Sequence, residues 1–427
     1  MQNSLNLKIQ LTLMNALQFA VWGAYLTCMG RYLSNLGFST EIGWFYSVQG
    51  IVSIFMPALM GIVADRWIPA QRLLGLCHLI AGAFMIAAAM YGLSAGPGNV
   101  KFGILFLLYT ISVAFYMPTL ALNNSVSYNA LTQANLDPVS AFPPIRVFGT
   151  VGFILTMWFV DLTGFQDNQN QFITSGVLSI ILFGLSFTLP NCPINKSGDK
   201  KSFVEALGLR AFTLFKRKEM AVFFIFSMLL GVSLQITNGF ANTFIFSFGA
   251  EPQYADTFGV QHSNMLISLS QISETLCILL IPFCMKRFGI KNVMLIAMFA
   301  WVLRFGLFGA GNPGMPGVLL FVLSCIVYGV AFDFFNVSGA LFVEQEAPAA
   351  MRGSAQGLFM LMTNGIGATI GTLGAQAIIN SKTHYDVASG CTVGDWSTCW
   401  YIFAGYALVV GILFALLFHP KKEHLKG

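Results

Sequence analysis

Apolar stretches of about 20 residues, each long enough to cross a hydrocarbon core of about 30 Å as a helix, recur along the whole chain. Only 9% of the 427 residues are charged, whereas soluble domains contain about 25%. The short alternating segments of a membrane β-barrel are not seen in the sequence. The pattern therefore predicts an all-α membrane protein and excludes an ordinary soluble globule.

Twelve membrane spans are predicted, and the longest polar interruption, residues 191–219, follows the sixth. This layout predicts two parallel halves, as in many transporters. We expect a six-helix half at 1–190, a linker at 191–219 and a second six-helix half at 220–427. The predicted spans are 8–34, 41–65, 73–93, 102–123, 144–164, 171–190, 220–247, 262–285, 291–310, 316–342, 353–379 and 397–418.

Basic residues between the spans are distributed unevenly. If the linker is cytoplasmic, 17 Lys and Arg residues lie on the inner side and only Arg31, Lys101 and Lys382 lie outside. Cytoplasmic loops carry an excess of Lys and Arg, so both termini are predicted in the cytoplasm. The first apolar run follows Lys8 without a small-residue cleavage site, which favours a retained helix over a signal peptide. The inner residues are Lys8, Arg66, Arg72, Lys196, Lys200, Lys201, Arg210, Lys216, Arg217, Lys218, Lys286, Arg287, Lys291, Arg352, Lys421, Lys422 and Lys426.

The sequence contains no P-loop, no HExxH motif and no Gly-rich dinucleotide-binding motif in a strand–helix context. We therefore expect neither an enzyme nor a bound cofactor or metal. The basic residues are accounted for by topology, so nucleic acid is not an expected partner. Coupling to an ion gradient through buried acids remains as the energy source.

Two cysteines, Cys391 and Cys399, share a polar segment that the topology places outside, where oxidation is possible. A disulfide between them is a hypothesis. The other six cysteines are expected to pack as small apolar residues.

Four charged residues lie within the apolar segments, namely Arg146, Glu274, Arg304 and Asp333. A charge at bilayer depth costs at least about 2.5–3.5 kcal/mol, so it persists where it is paired, hydrated or used. A glutamate at this depth should be protonated or paired, which makes Glu274 a candidate proton carrier. For Arg304 the sequence offers no obvious partner.

Further polar residues share helical faces with these charges. Arg146, Thr150 and Phe153 have the spacing i, i+4, i+7, which places them on one face of span 5. Arg146 is near a predicted helix end, so extension of its side chain to the membrane surface is the alternative reading. Gln235 and Asn238 share a face of span 7, where amides either bind solute or join neighbouring helices.

Spans 8 and 10 carry the acids. Gln271 and Glu274 are three residues apart, and the alternative for Glu274 is a structural pair with an arginine. In span 10, Tyr328 and Phe332 are one turn apart and Asp333 follows directly. Aromatic faces beside an acid suit a flat polar ring, although aromatic packing alone is common in a chain with 41 Phe. A stripe of Gln18, Trp22 and Tyr25 in span 1 either lines the pathway or packs internally.

The residues Gly61 to Arg66 resemble the G-x-x-x-D-R motif of the major facilitator superfamily, in which the Asp and Arg lock helix ends during the transport cycle. Asp65 and Arg66 match those two positions. The chain is also similar over its whole length to the bacterial nucleoside:H+ symporters of that superfamily. The resemblance is densest in 56–67, 142–153, 223–244, 270–276, 289–294, 326–336 and 354–365, and weakest in the loops and in 380–396.

The resemblance implies a nucleoside importer of the bacterial inner membrane that is driven by the proton gradient and acts by alternating access. Nucleosides such as uridine and adenosine, protons and the lipid bilayer are the implied partners, and we expect a monomer. Such permeases bind the nucleoside between their halves, and Glu274 or Asp333 would carry the proton. The binding residues of the family match Arg146, Thr150, Phe153, Gln235, Asn238, Gln271, Glu274, Tyr328, Phe332 and Asp333.

Three alternatives remain open from the residues themselves. The first is a symporter for another polar ring compound or a sugar. The second is a membrane sensor that binds solute without moving it. The third, a polytopic enzyme, lacks a recognisable nucleophile–base pair or metal-ligand set in the sequence.

Overall fold

The structure is a computed structural model that describes residues 4–194, 203–206, 208–348 and 351–420. Parts of the predicted linker (195–202 and 207) lie outside the described residues, as do Lys196, Lys200, Lys201, Lys421, Lys422 and Lys426. The helices are α1 (Ser4–Gly23), α2 (Met29–Asn35), α3 (Ile42–Arg66), α4 (Ala70–Ala95), α5 (Phe102–Gln133), α6 (Pro138–Leu162), α7 (Asn170–Ser186), α8 (Phe203–Ala206), α9 (Lys218–Leu234), α10 (Ile236–Ser247), α11 (Phe258–Gln261), α12 (Ser263–Ile278), α13 (Ile281–Ala310), α14 (Val318–Glu346), α15 (Arg352–Met360), α16 (Ala368–Lys382) and α17 (Trp396–Leu417).

The predicted all-α fold is confirmed. In the described part of the chain, nine helical segments are long and apolar enough to cross a membrane. The shorter or more polar helices α1, α7 and α12 complete a set of twelve at the predicted positions. A helix satisfies its backbone hydrogen bonds internally, and this is what allows a chain to cross the hydrocarbon region.

Several predicted spans are not continuous helices. Span 1 is divided between α1 and α2, span 7 is interrupted at Gln235, and span 11 contains a π-helical segment at Leu361–Gly367. The predicted loop around Lys286 is helical, because α13 begins at Ile281 and is interrupted only at Gly289. Gly289 has φ 76°, a conformation that glycine adopts readily.

Span 5 begins earlier than predicted. Its helix, α6, starts at Pro138, so Pro143 and Pro144 lie inside the helix instead of at its entry. Proline has no backbone N–H, so each of these positions lacks one helical hydrogen bond.

The chain divides into two compact units. The first contains Met1–Phe38 and Ile51–Leu207, and the second contains Ser39–Gly50 and Gly208–Gly427. Unlike the predicted halves, the second unit therefore includes the first part of α3. The side chain of Gln376 in α16 explains this assignment, since its Oε1 accepts a 2.7 Å hydrogen bond from the Gly43 N–H.

Close helix contacts in the first unit depend on glycine. A Cβ at Gly23 in α1 would lie 2.5 Å from the Phe153 carbonyl oxygen, and a Cβ at Gly152 in α6 would overlap the Ala16 carbonyl. Small residues allow helices to approach at this distance, which is the usual way membrane helices pack. The two glycines therefore hold α1 against α6, the helix that carries Arg146, Thr150 and Phe153.

Aromatic rings fill the second unit near α17. The Phe244 ring contacts Trp400 at a centroid distance of 5.4 Å and Phe321 at 5.5 Å, and Phe308 lies 5.1 Å from Trp400. Offset and edge-on pairs of this kind stabilise a core beyond the area they bury. The cluster joins α10, α13, α14 and α17 into one core.

The segment between α16 and α17 contains a hairpin that the sequence did not predict. Strands β1 (Thr383–Asp386) and β2 (Cys391–Gly394) pair in antiparallel register, with Asp386 opposite Cys391. The Asp386 carboxylate accepts hydrogen bonds from the Ser389 hydroxyl and from the Ala388 and Ser389 N–H groups. These bonds, that of the Ser389 hydroxyl above all, lower the pKa of Asp386.

Cys391 and Cys399 are both buried, and a disulfide between them stays a hypothesis. The Cys391 thiol points to the Phe246 carbonyl oxygen at 3.5 Å, and the Cys399 thiol points to the Asp395 carbonyl oxygen at 3.5 Å. The two residues occupy separate elements, β2 and the first turn of α17, and each thiol bonds its own backbone acceptor.

We predict that Gly152→Ala destabilises the protein, because the added methyl group would meet the α1 backbone. Overpacking of this kind lowers the free energy of unfolding by about 1–3 kcal/mol. The thermal unfolding midpoint of the detergent-solubilised protein measures the effect. Gly184→Ala in α7 is the matched control, since nothing lies within 4 Å of its Cβ position. Equal midpoints for the two variants would contradict the contact.

We predict that all eight cysteines are alkylated when the protein is unfolded in the absence of a reductant. Intact mass spectrometry counts the adducts. Two fewer adducts, both recovered after reduction, would show a disulfide and contradict this prediction.

Candidate functional site

Arg146, Thr150 and Phe153 lie on α6 in the first unit, as predicted. Phe153 is buried, whereas Arg146 and Thr150 are half-buried. The Arg146 guanidinium lies over the ring of Phe19 in α1, with Cζ 3.9 Å from the ring centroid. Arginine stacks well on aromatic faces because its planar cation is weakly hydrated. The contact orients the arginine toward α1 while its side chain remains partly accessible.

Gln18 and Tyr25 of the span 1 stripe are packed inside the first unit, and only Trp22 is partly exposed. Gln18 is 0% exposed and donates a 2.7 Å hydrogen bond from Nε2 to the Thr119 hydroxyl. Its Oε1 lies 2.8 Å from Nε2 of His78, so this ring nitrogen carries the proton of the bond. The internal-packing reading therefore holds for Gln18.

His78 is a buried polar residue that sequence reasoning did not single out. Its Nδ1 lies 2.8 Å from the Ser179 hydroxyl, which joins α4 to α7. The sequence could have indicated this residue, because His78 lies in the middle of an apolar segment, where a ring nitrogen without a hydrogen bond would be costly.

In the second unit, Gln235 occupies the interruption between α9 and α10. Asn238, three residues later, donates a 2.9 Å hydrogen bond from Nδ2 to Gln235 Oε1. Both residues are half-buried. The bond uses one donor and one acceptor, so the pair retains the Gln235 amide NH₂ and the Asn238 carbonyl oxygen, which suit a ligand edge that both accepts and donates.

The neighbouring amide Asn242 serves a different purpose. It is buried, and its Nδ2 donates a 3.0 Å hydrogen bond to Oδ1 of Asn264. This bond links α10 to α12 and is an example of amides joining helices.

Close packing of α12 against α14 brings the two acids together. A Cβ at Gly329 would lie 2.6 Å from the Ser273 carbonyl oxygen, and the Ser273 hydroxyl donates to the Ile326 carbonyl. Glu274, next to Ser273, lies close enough to Asp333 for their charges to interact. The acids predicted from separate spans therefore lie within electrostatic range of each other.

Asp333 is only 6% exposed, and its Oδ2 has no hydrogen-bond partner in the described part of the chain. The Oε1 atom of Gln271, a residue 7% exposed, likewise has none among the described residues. Buried polar atoms are normally bonded, and exceptions call for an explanation such as a ligand or a functional role. Asp333 and Gln271 therefore mark this part of the second unit as a candidate site.

The aromatic residues of span 10 form the predicted pair. The rings of Tyr328 and Phe332 stack with their centroids 5.5 Å apart and their planes at 15°. Trp301 of α13 contacts Tyr328 edge-on at 5.9 Å and 89°. Sequence reasoning missed Trp301, although its spacing of three residues from Arg304 was a usable signal.

Asp65 and Arg66 lie at the C-terminal end of α3, and both are exposed. A position at a helix end is the one that the gating motif requires. Their gating role stays a prediction.

Buried acids and amides within twelve apolar helices define a membrane transporter with the major facilitator fold. The chain belongs to the nucleoside H+ symporter family, whose model matches residues 5–423. It is 47% identical to the nucleoside permease NupG of Escherichia coli over 99% of this chain and 98% of that protein. It is 46% identical to the E. coli xanthosine permease over 96% of this chain and 95% of that protein.

The fold agrees with a solved structure. The crystal structure of the nucleoside transporter NupG superimposes with a TM-score of 0.88 at 47% identity, covering 97% of this chain and 100% of that one. The predicted family and its multi-pass membrane fold are thereby confirmed.

We predict that Gly329→Ala impairs transport more than it lowers the yield of folded protein. Its methyl group would force α12 away from α14 and so displace Glu274 from Asp333. The measurement is the initial rate of nucleoside uptake into proteoliposomes, divided by the amount of folded protein. Gly306→Ala in α13 is the control, because its Cβ position meets nothing within 4 Å. Wild-type uptake in Gly329→Ala would show that the spacing of the acids is unimportant.

Proposed function

We propose that this protein imports nucleosides together with protons across the bacterial inner membrane by alternating access. Membership of the nucleoside H+ symporter family supports the substrate and the coupling ion. The observation that carries the mechanism is the buried Asp333 beside Glu274, with one carboxylate oxygen unbonded among the described residues. Two acids this close in an apolar region favour the uptake of a proton, since both charges together are costly.

The substrate roles follow from the chemistry of the side chains. The Tyr328–Phe332 pair and Phe153 would stack on or enclose the base, because aromatic faces suit a flat ring. Gln235, Asn238, Gln271 and Arg146 would bond the ribose hydroxyls or the base edges, and Thr150 would add a hydroxyl. A pocket of apolar faces with a few placed polar groups is the usual form of a small-molecule site.

Proton uptake would be linked to loading. Protonation of Glu274 or Asp333 removes a charge from the apolar region, and a neutral carboxyl both donates and accepts a hydrogen bond. A nucleoside would therefore meet a more favourable site in the protonated state. The proton gradient then supplies the energy, with no cofactor.

The remaining assignments concern topology and assembly. The distribution of Lys and Arg supports a cytoplasmic location for both termini. Asp65 and Arg66 would lock helix ends on that side during the cycle. We propose a monomeric transporter.

We predict gradient-driven accumulation of uridine or adenosine in proteoliposomes with an inward proton gradient. Asp333→Asn or Glu274→Gln should abolish accumulation, because an amide cannot carry the proton. An amide donates and accepts hydrogen bonds as a protonated carboxyl does, so equilibrium binding of the nucleoside should change by less than about tenfold, the size of one neutral hydrogen bond.

Asp256→Asn, an exposed loop acid, is the control and should accumulate nucleoside as the wild type does. Accumulation by both acid variants at the wild-type level would refute the proton role of this pair. Nucleoside uptake at the same rate with and without the proton gradient would indicate a facilitator. Absence of uptake of both uridine and adenosine would refute the proposal that nucleosides are the substrate.

A further inference from the structure

Arg304 is a charged residue that the transport mechanism above does not use. It lies in α13 and is only 1% exposed. Its Nη1 donates a 2.8 Å hydrogen bond to the Ser324 carbonyl oxygen of α14. In return, the Ser324 hydroxyl donates a 2.8 Å hydrogen bond to the Arg304 carbonyl oxygen. This reciprocal pair holds the arginine in one place between the two helices.

No carboxylate lies within ion-pair distance of Arg304 in the residues that the structure describes. The guanidinium contacts two aromatic rings, with Cζ 4.6 Å from the Tyr328 centroid and 5.0 Å from the Phe308 centroid. A buried charge without a counter-charge is costly, and a desolvated cation over an aromatic face offsets part of that cost. The contact with the Tyr328 ring therefore takes the place that an ion pair would otherwise fill for this buried cation.

Tyr328 is constrained by three neighbours. Arg304 lies over its ring, Trp301 meets it edge-on at 5.9 Å, and Phe332 stacks with it at 5.5 Å. Rotation of the tyrosine would break the cation–π contact and the stack together. The orientation of the Tyr328–Phe332 pair thus depends on a residue of α13 that is itself too buried to reach a solute.

We propose that Arg304 is a positioning residue for substrate recognition, acting through Tyr328 so that the Tyr328–Phe332 pair keeps the orientation that stacks on the planar ring of the substrate. This inference rests on the proposed function, in which that pair contacts the base. The inference gives Arg304 a role in substrate recognition in addition to its hydrogen bonds between α13 and α14.

The test compares Arg304→Met with Arg304→Lys and Ser324→Ala in gradient-driven uridine and adenosine uptake. Methionine keeps the unbranched chain but removes the cation. We expect Arg304→Met to raise KM about thirtyfold, the size of a desolvated cation–π contact, with the maximal rate per folded protein within about twofold of wild type. Arg304→Lys keeps a cation near the ring, and KM should return to within about threefold of wild type.

Ser324→Ala separates positioning from helix linkage. It removes the hydroxyl bond to the Arg304 carbonyl and leaves the guanidinium over Tyr328, so its KM should match wild type. A rise in KM for Ser324→Ala equal to that of Arg304→Met would overturn the inference in favour of a general link between the helices.

A double-mutant cycle with Tyr328→Leu shows whether Arg304 acts through this ring. In the Tyr328→Leu background, Arg304→Met should raise KM by no more than about twofold, because interacting residues are non-additive. If Arg304→Met raises KM by the same factor in the Tyr328→Leu background as in wild type, the inference is overturned. If Arg304→Met fails to fold, Arg304→Lys completes the same cycle, since its smaller effect should also vanish without the ring.

Nucleoside uptake by the wild-type protein distinguishes failure of the proposed function from failure of the inference about Arg304. Wild-type protein without nucleoside uptake refutes the proposed function and the inference with it. Wild-type uptake with an unchanged KM in Arg304→Met refutes the inference alone.

Discussion

The cost of an unsatisfied polar group in an apolar environment is the constraint on which this structure depends. Backbone groups satisfy it by forming helices, which explains the all-α fold. Buried side chains satisfy it locally, as in the Gln18–His78–Ser179 network of the first unit and the Asn242–Asn264 bond of the second. Asp333 departs from this pattern, because one oxygen of its buried carboxylate has no hydrogen-bond partner among the described residues. A buried carboxylate in that state is costly unless it is protonated or bound to a ligand.

Close approach of helices positions the site residues. Lipid tails are as apolar as the side chains that face them, so the hydrophobic effect does not drive membrane helices together. Van der Waals packing and small residues therefore determine which helices meet. Gly152 sets the contact between α1 and α6, and Gly329 sets the contact between α12 and α14. The first contact holds the helix of Arg146, and the second places Glu274 beside Asp333. Each unit therefore uses glycine to fix the location of its polar face.

Two arginines within the apolar helices lie over aromatic rings. Arg146 lies over Phe19, and Arg304 lies over Tyr328 and Phe308. Arginine tolerates this arrangement because its charge is delocalised over a planar group that stacks on rings.

Much of this protein was determined by its sequence. Apolar segment length specified the twelve helices, since a span must match the bilayer thickness. Helical spacing placed Arg146 with Thr150, Gln235 with Asn238 and Tyr328 with Phe332, because a period of 3.6 residues is a local property of the helix. Helical spacing did not reveal the hairpin at 383–394 or the interruption at Gln235, because neither follows the 3.6-residue period.

Only the tertiary structure decided which helices meet. It brought Glu274 of α12 beside Asp333 of α14, paired Arg304 with Ser324, and directed the thiols of Cys391 and Cys399 to separate carbonyl groups. It also showed that Gln18 belongs to an internal network. The sequence determines which residues share a helix face, because that follows from backbone geometry alone. The pairing of one helix face with another depends on packing between segments that are distant in sequence. It is therefore seen only in the tertiary structure.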